Sequence, residues 1–334
     1  RNGYYQRDVR PHRIRRYVCQ NCGKSFSSQT FSISYWLKRP ELLVPISSNS
    51  VNGMANRQSA RDLGAAPTTI DGQIARLGRH CCLLHRQLLA RASPFGDIVL
   101  DGLLSFETSQ YFPFEILAAV DPATSLVLHW NDAPLRRSGR MTRVQKRRRA
   151  ELEAQLGRPD PRAVEKATRE ILEVLLTGAQ RATVRTDEHK AYPRAMRGLS
   201  CEIEHRRTSS KRRRDRHNEL SEINRLDGWL RHSGAHLRRE TWAPVKRRQA
   251  AMERMAVQSV WKNLVKRRWE NDCEESAAML AGLTDHRWTI EELLGRRIFP
   301  AHVEVPRSWE RYLERAVVTP VVGRNRLKQS KNAP

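Results

Sequence analysis

Two aspartates, Asp101 and Asp187, carry the strongest chemical signal in the 334-residue chain. Each follows, directly or nearly, a short run with strand character: Ile98-Val99-Leu100 before Asp101, and Ala182-Thr183-Val184-Arg185-Thr186 before Asp187. A carboxylate at a strand end stands at the rim of a sheet, where a cation can reach it. If the two strands are neighbours, the pair can hold two divalent ions. Such ions stabilise the attacking and leaving oxygens of a phosphodiester during in-line displacement. Mg²⁺ suits the role, because it binds through a few carboxylates, waters and substrate phosphates; Mn²⁺ accepts the same donors. Either aspartate taken alone also reads as a turn former.

The elements that must position this pair follow from periodicity and punctuation. Phe114 to Val120 and Leu126-Val127-Leu128 read as strands, with Pro122, Ala123 and Thr124 as the turn of a hairpin. Cys201-Glu202-Ile203-Glu204 reads as a further strand. Ala163 to Leu176 has the spacing of an amphipathic helix. Helices are expected from about 218 to 232 and from about 246 to 268. On the first of these, Leu220, Ile223, Leu226 and Leu230 form the stripe that turns inward. Upstream, Asn56 to Leu63 reads as a helix stopped by Gly64, and Thr68 as the cap of a second helix carrying Ile70, Ile74 and Leu77. Ser93-Pro94-Phe95-Gly96 looks like a linker.

Charge narrows the partner. The formal net charge is +25, from 61 Lys and Arg against 36 Asp and Glu. A solvated surface predicts both signs in similar numbers. An excess of this size suits a protein that tracks phosphates, and double-stranded DNA is the partner expected. Lys146, Arg147 and Arg148 sit in a basic helical stretch near 134–160 that cannot belong to a core and reads as an insertion beside DNA. Lys211, Arg212 and Arg213 sit in a basic loop, Arg206 to Arg216, of the same kind. No run of eighteen apolar residues predicts a membrane span, and no signal peptide is visible. Six cysteines with one metal-like spacing are not a disulfide framework, so a reducing cytoplasm is the simplest compartment. The first residue is Arg1 rather than Met, and the expectation is of a truncated start.

Two N-terminal features add to the case. Cys19-Gln20-Asn21-Cys22 has the spacing of half a zinc ribbon or finger, whereas structural zinc takes four ligands. The alternatives are a zinc site completed elsewhere and two ordinary cysteines in a basic loop. The helix, short turn, helix layout over 36–92 is that of a helix-turn-helix reader. Thr68, Thr69, Asp71, Gln73 and Arg76 would then reach base edges or phosphates. The competing reading is a pair of packed helices. Trp36, Trp229, Trp242, Trp261, Trp269 and Trp288 can stack on frayed bases, but mostly belong in a core.

The order strand-Asp101, strand-Thr186-Asp187 with Tyr192 five residues on, and then a helix with Glu222 and Arg231, resembles the DDE transposases of bacterial insertion sequences. Leu230 to Thr241 followed by Lys246-Arg247-Arg248 resembles the basic signature after their last catalytic acid, with Arg231, Arg239 and Lys246 as its cations. The resemblance spans about 17–300. It implies an α/β catalytic domain with an RNase H-like mixed sheet flanked by helices over 93–270. A partial zinc-ribbon-like segment (1–35), a helix-turn-helix domain (36–92) and a C-terminal helical segment with a basic tail (271–334) complete the expected layout. It also implies Asp101 and Asp187 as metal ligands, action on terminal inverted repeats and target DNA, a homo-oligomer, and a bacterial, nucleoid-associated setting. Glu222, 35 residues beyond Asp187, fits the third acid, but a strict alignment of the Arg231 signature puts Asn224 there. Glu222 is preferred because a carboxylate suits Mg²⁺ better than an amide. Glu219, Asp227 and Glu240 are further acids nearby.

The function expected is metal-dependent strand cleavage and strand transfer at element ends. The alternatives are a non-catalytic DNA-binding regulator and an inactive remnant of such an enzyme. A pure binder gives no reason for acids at strand ends inside so basic a chain.

Overall fold

The structure, a computed structural model, describes residues 2–92, 94–238, 241–271 and 274–321. Three short strands open it: β1 (Tyr4–Gln6), β2 (Arg13–Val18) and β3 (Ser25–Ser27), antiparallel in that order. Three helices follow: α1 (Leu43–Val51), α2 (Asn56–Asp62) and α3 (Pro67–Leu89). Gly64 takes a left-handed φ of +55° after α2, as a helix stop requires. The expected cap at Thr68 is displaced: Ala66 precedes the helix and Pro67 is its first residue. A proline there has no amide to leave unpaired and its φ is already helical.

The centre of the molecule is a mixed five-stranded sheet. Its strands are β4 (Asp97–Phe106), β5 (Pro113–Val120), β6 (Val127–Pro134), β7 (Arg181–Thr186) and β8 (Glu202–Arg207). The spatial order is β6-β5-β4-β7-β8. β4, β5 and β6 run as an antiparallel meander, and β7 and β8 add in parallel beside β4. The β5–β6 turn is the hairpin read at Pro122 to Thr124, closed by the Asp121 amide donating to Leu126 O at 2.9 Å.

Helices cover the sheet. Between β6 and β7 come α4 (Arg143–Leu156) and α5 (Ala163–Leu175), and α6 (Ala191–Met196) separates β7 from β8. Then follow α7 (Ser221–Ser233), α8 (Arg248–Leu264), α9 (Ala277–Leu280), α10 (Ile290–Gly295) and α11 (Arg307–Leu313). α5 packs on β5 and β6, α7 on β4 and β5, and α8 on β6. This cover explains why β5 is buried from Ile116 to Val120 without alternation. α5 turns Val164, Ala167, Ile171, Leu172 and Leu175 inward. Each large aliphatic side chain so buried contributes roughly 1.5–3 kcal/mol.

The C-terminal helix is part of this core. Trp309 is fully buried, its ring 4.2 Å from that of Trp130, and its indole N–H donates to Trp130 O at 2.8 Å. Asp132 on β6 is buried between Arg248 (3.0 Å), Arg311 (2.9 Å) and the Tyr312 hydroxyl. Trp130 and Trp309 are the two tryptophans the sequence reading left out, and they anchor the edge strand. No helix among the described residues is long and apolar enough to cross a membrane.

Candidate active site

Adjacent strands bring Asp101 and Asp187 together. β4 and β7 pair in parallel with Val99 opposite Arg185, and the Arg185–Asp97 ion pair at 2.7 Å crosses the same two strands. Two residues further along that register, Asp101 stands level with Asp187, just past the end of β7. The His189 amide donates to Asp187 Oδ1 at 2.8 Å, and the Thr186 hydroxyl donates to the Asp187 carbonyl at 2.7 Å. These bonds fix the chain as it leaves the strand. Asp101 Oδ1 accepts the Gly102 amide at 2.8 Å, and the Tyr192 hydroxyl lies 3.5 Å from it.

Two further carboxyls join the pair. Glu115 on β5 lies over Gly102: a Cβ at residue 102 would be 2.9 Å from Glu115 Oε2. Burial, then the charges of Asp101 and Asp187, push its pKa up to about 7. Asp227 on α7 is also pushed up to about 7, by burial and then by Asp101, with Arg231 and Arg214 opposing. Asp101 itself is raised to about 6, by burial first, with the Gly102 N–H opposing and Asp187 adding. The Tyr192 phenol is held well above its usual range by burial and by the charges of Asp101, Asp187 and Glu115. The strand-end position expected of Asp101 is not what forms. β4 runs on through Asp101 to Phe106, because its pairing with β5 continues to Pro113. Asp101 and Glu115 are therefore mid-strand, Asp187 follows the end of β7, and Asp227 is on α7.

Glu222 is elsewhere. Its carboxylate accepts the hydroxyl of Ser125 at the tip of the β5–β6 hairpin and pairs with Arg225 at 3.2 Å. The charge of Glu222 also reaches the buried Lys262, which donates to Ser125 O at 2.6 Å. Two cations and a hydroxyl hold this acid at the hairpin, so the chosen third acid does not meet Asp101 and Asp187. Asp227, on the same helix, is the acid whose pKa burial and the charge of Asp101 raise. It lies four residues after Ile223 and three before Leu230, beside the buried stripe. Glu115 was missed outright, although it is the single acid within the apolar run 114–120.

Among the described residues, no three His, Cys, Asp or Glu side chains converge closely enough to hold one metal ion. The donor chemistry nonetheless fits a hard divalent cation. The donors are carboxylate oxygens, they repel one another, and Arg214 and Arg231 act on them only through space. Mg²⁺ commonly takes one or two protein carboxylates and completes its shell with water and phosphate.

The basic residues divide by surroundings. Lys146, Arg147, Lys211, Arg212, Arg213 and Lys246 are exposed. Arg147 and Arg148 both approach Glu151, at 3.6 and 3.1 Å. Arg212 donates to His217 O at 3.2 Å, and Arg213 is 4.0 Å from Asp215. Arg231 donates to Leu237 O at 3.3 Å and faces Asp227. Arg239 lies outside the described residues, as do the cations of the tail beyond 321.

On α3, Thr68 and Asp71 are exposed and Thr69 is half-buried. Gln73 and Arg76 are withdrawn from the surface role expected of them. Gln73 is buried and donates to Arg39 O at 3.2 Å, while Arg76 donates to Ile33 O and Tyr35 O at 3.1 and 2.8 Å. The cause is tertiary packing, since the segment 33–39 lies against this part of α3 and offers its carbonyls to both side chains.

Cys19 and Cys22 sit in the β2–β3 turn, where the Gly23 amide returns to Cys19 O at 2.9 Å. The amides of Cys22 and Asn21 and the Cys22 side chain hold the Cys19 thiol below its ordinary pKa. This turn favours a thiolate at Cys19, as a metal ligand requires. Trp36 and Trp242 are exposed, Trp269 takes Arg225 over its ring, Trp229 stacks on Trp261, and Trp288 is buried.

No protein-family model matches the chain, and no curated protein is similar to it in sequence. One solved structure it is similar to is the simian T-cell lymphotropic virus intasome in complex with PP2A regulatory subunit B56 gamma. The likeness is at 14% identity and a TM-score of 0.23, over 71% of this chain and 72% of that one. A likeness so distant assigns neither fold nor activity.

Proposed function

We propose that the chain is a metal-dependent DNA transposase with an RNase H-like catalytic core, cutting DNA strands and joining the ends to target DNA. The observation that carries this reading is the meeting of Asp101 and Asp187 on adjacent parallel strands of a β6-β5-β4-β7-β8 sheet. A mixed five-stranded sheet flanked by helices supports the RNase H-like reading. Asp101 and Asp187 would hold Mg²⁺ or Mn²⁺, with Asp227 in the third place instead of Glu222 or Asn224. When bound, such ions supply charge to the attacking and leaving oxygens of a phosphodiester.

The rest falls to the chain itself. Tyr192 orients the Asp101 carboxyl, and the Gly102 and His189 amides each fix one oxygen of the acid pair. Arg214, in the basic loop, sits where its field reaches Asp101 and Asp227. Lys211, Arg212 and Arg213 beside it, and Lys146 and Arg147 on α4, would hold the DNA backbone. Terminal inverted repeats and target DNA are the proposed substrates, a homo-oligomer the proposed assembly, and the bacterial cytoplasm the proposed setting. Cys19 and Cys22 would form half of a zinc site.

A second reading, an inactive remnant that still binds DNA, is favoured by one observation: the acid at the expected spacing, Glu222, is tied to the hairpin. Wild type and Asp187→Asn, each incubated with Mg²⁺ and DNA from the borders of the chain's own gene, separate the two. Cleavage by wild type alone supports the transposase. Binding by both without cleavage by either supports the remnant.

A further inference from the structure

A second group of charges stands apart from the acid cluster. Arg162, Glu165 and Arg169 on or next to α5, with Arg194 and Arg197 at the end of α6, line a cleft of about 380 Å³. Four guanidinium groups around one carboxylate repel one another unless something negative joins them. Glu165 does not suffice. It is already taken by two N–H groups of Arg162, at 2.5 and 3.3 Å. Arg169 is also committed, because it donates to the carbonyls of Arg194 and Arg197 at 3.4 and 2.6 Å. That contact covers the C-terminal carbonyls of α6 and fixes the segment bearing the other two arginines. Arg194 and Arg197 are exposed. Among the described residues, neither side chain donates a hydrogen bond or enters an ion pair.

We propose that this cleft is a phosphate-binding subsite, with Arg194 and Arg197 as its anion-facing forks and Arg169 as the residue that positions them. Guanidinium matches phosphate oxygens two at a time. The cleft is open to solvent, and its volume falls at the lower end of small-molecule pockets, roughly 300–1,000 Å³, so a phosphate with its attached sugar fits. The phosphate can come from a DNA backbone or from a free phosphate-bearing molecule. The fold favours the backbone. α6 also carries Tyr192, which reaches Asp101. A helix rises about 1.5 Å and turns about 100° per residue, so Arg194 and Arg197 start roughly 3–8 Å along the axis from Tyr192 but on the far side of α6 from it. A strand has a phosphate about every 3.4 Å of duplex axis, so one that passes the acid pair and bends around α6 would bring a phosphate to this subsite several nucleotides from the bond being cut. The backbone assignment rests on the DNA reading above; the phosphate site does not.

The experiment compares the full chain with Arg194→Ala/Arg197→Ala in two arms. In the first, fluorescence anisotropy follows the affinity for a 30-base-pair duplex as salt is raised. The expected result is a log–log salt slope shallower by about one to two in the variant, about one per lost phosphate contact. In the second, thermal melting is followed as inorganic phosphate alone is added at constant ionic strength, and the expected result is stabilisation of wild type but not of the variant. A change confined to the second arm keeps the phosphate site and overturns its backbone assignment. Equal slopes and equal phosphate responses for the two proteins overturn the subsite. Absence of any DNA binding by wild type counts against the transposase reading, and the phosphate arm still decides the cleft.

Discussion

The carboxylate of Glu222 accepts the hydroxyl of Ser125, at the tip of a hairpin, rather than facing Asp101. Asp227 stands near Asp101 in its place. Glu222→Gln should therefore leave Mg²⁺-dependent cleavage within a few-fold of wild type. Asp227→Asn should lower it by about 100-fold or more, since a group that helps hold the cations supports several kcal/mol of transition-state stabilisation and about 1.4 kcal/mol is tenfold in rate. Single-turnover cleavage of both variants checks the order. The reverse order would return the third place to Glu222.

Gly102 leaves room for Glu115. An added methyl would come within 2.9 Å of its Oε2 and 3.1 Å of its Cδ. The end of a flexible side chain yields cheaply, so Gly102→Ala should cost about 1 kcal/mol or less in urea unfolding. Moving the carboxylate should still weaken the response to Mg²⁺. The upward shift of the melting temperature on adding Mg²⁺ is expected to shrink in this variant, with the far-ultraviolet circular dichroism unchanged.

Local signals gave most of the fold away. The run before Asp187, the Pro122–Thr124 turn and the amphipathic spacing of 163–176 became the elements expected of them, whereas the run before Asp101 became a strand that continues through Asp101 to Phe106. The pairing of the two aspartates was only conditionally legible, since a carboxylate after an apolar run also reads as a turn former and nothing local says that β4 and β7 are neighbours. Glu222 was not legible, because spacing along a chain says nothing of Ser125 and Lys262, which reach it across 97 and 40 residues. Gln73 and Arg76 misled in the same way. Their types suit a groove reader, but the carbonyls of Ile33, Tyr35 and Arg39, 34 to 43 residues upstream, decide where they point. Trp309 joins Trp130 from 179 residues away, beyond the reach of any periodicity.

Stability without divalent ions should fall as pH rises across the neutral range. Asp101 is raised to about 6 and Glu115 and Asp227 to about 7. A carboxyl whose folded pKa exceeds its unfolded value binds its proton more tightly in the native state. Its contribution is complete below about pH 4 and is lost as pH climbs through the folded value. Each of these half-buried groups should account for on the order of 1 kcal/mol after allowance for solvent screening. Glu115→Gln and Asp227→Asn should therefore flatten the decline between about pH 4 and 7. Added Mg²⁺ should oppose it increasingly toward pH 7, because ligation needs the ionised carboxylates. Chemical denaturation at several pH values, with and without Mg²⁺, measures both effects.

The last helix should prove indispensable to the sheet. Trp309 is fully buried, is stacked on His129 at 4.6 Å and gives its N–H to Trp130 O. Trp309→Ala opens a cavity and leaves that carbonyl without its donor. The expected loss is about 3–5 kcal/mol. Trp309→Phe keeps the volume better and should lose less than half of that. Equilibrium unfolding of the two variants gives the comparison, and a loss below 1 kcal/mol for the alanine would mean that α11 only rests on the surface.

Arg76 tests what α3 is for. Its guanidinium joins the carbonyls of Ile33 and Tyr35 to the helix, and burial depresses its pKa. Arg76→Ala removes two bonds from a charged donor, so a stability cost of about 2–3 kcal/mol is expected. The affinity of the folded fraction for DNA should stay within twofold, with an unchanged salt slope. On the helix-turn-helix reading, Thr68, exposed on the same helix, is left to touch a base edge, whereas the Asp71 carboxylate accepts the Asn56 side-chain amide. Thr68→Ala should therefore lower discrimination between specific and random duplexes without affecting stability. Melting curves beside competition binding separate the two effects. A shallower salt slope in Arg76→Ala would instead mean that its guanidinium leaves those carbonyls to bind phosphate.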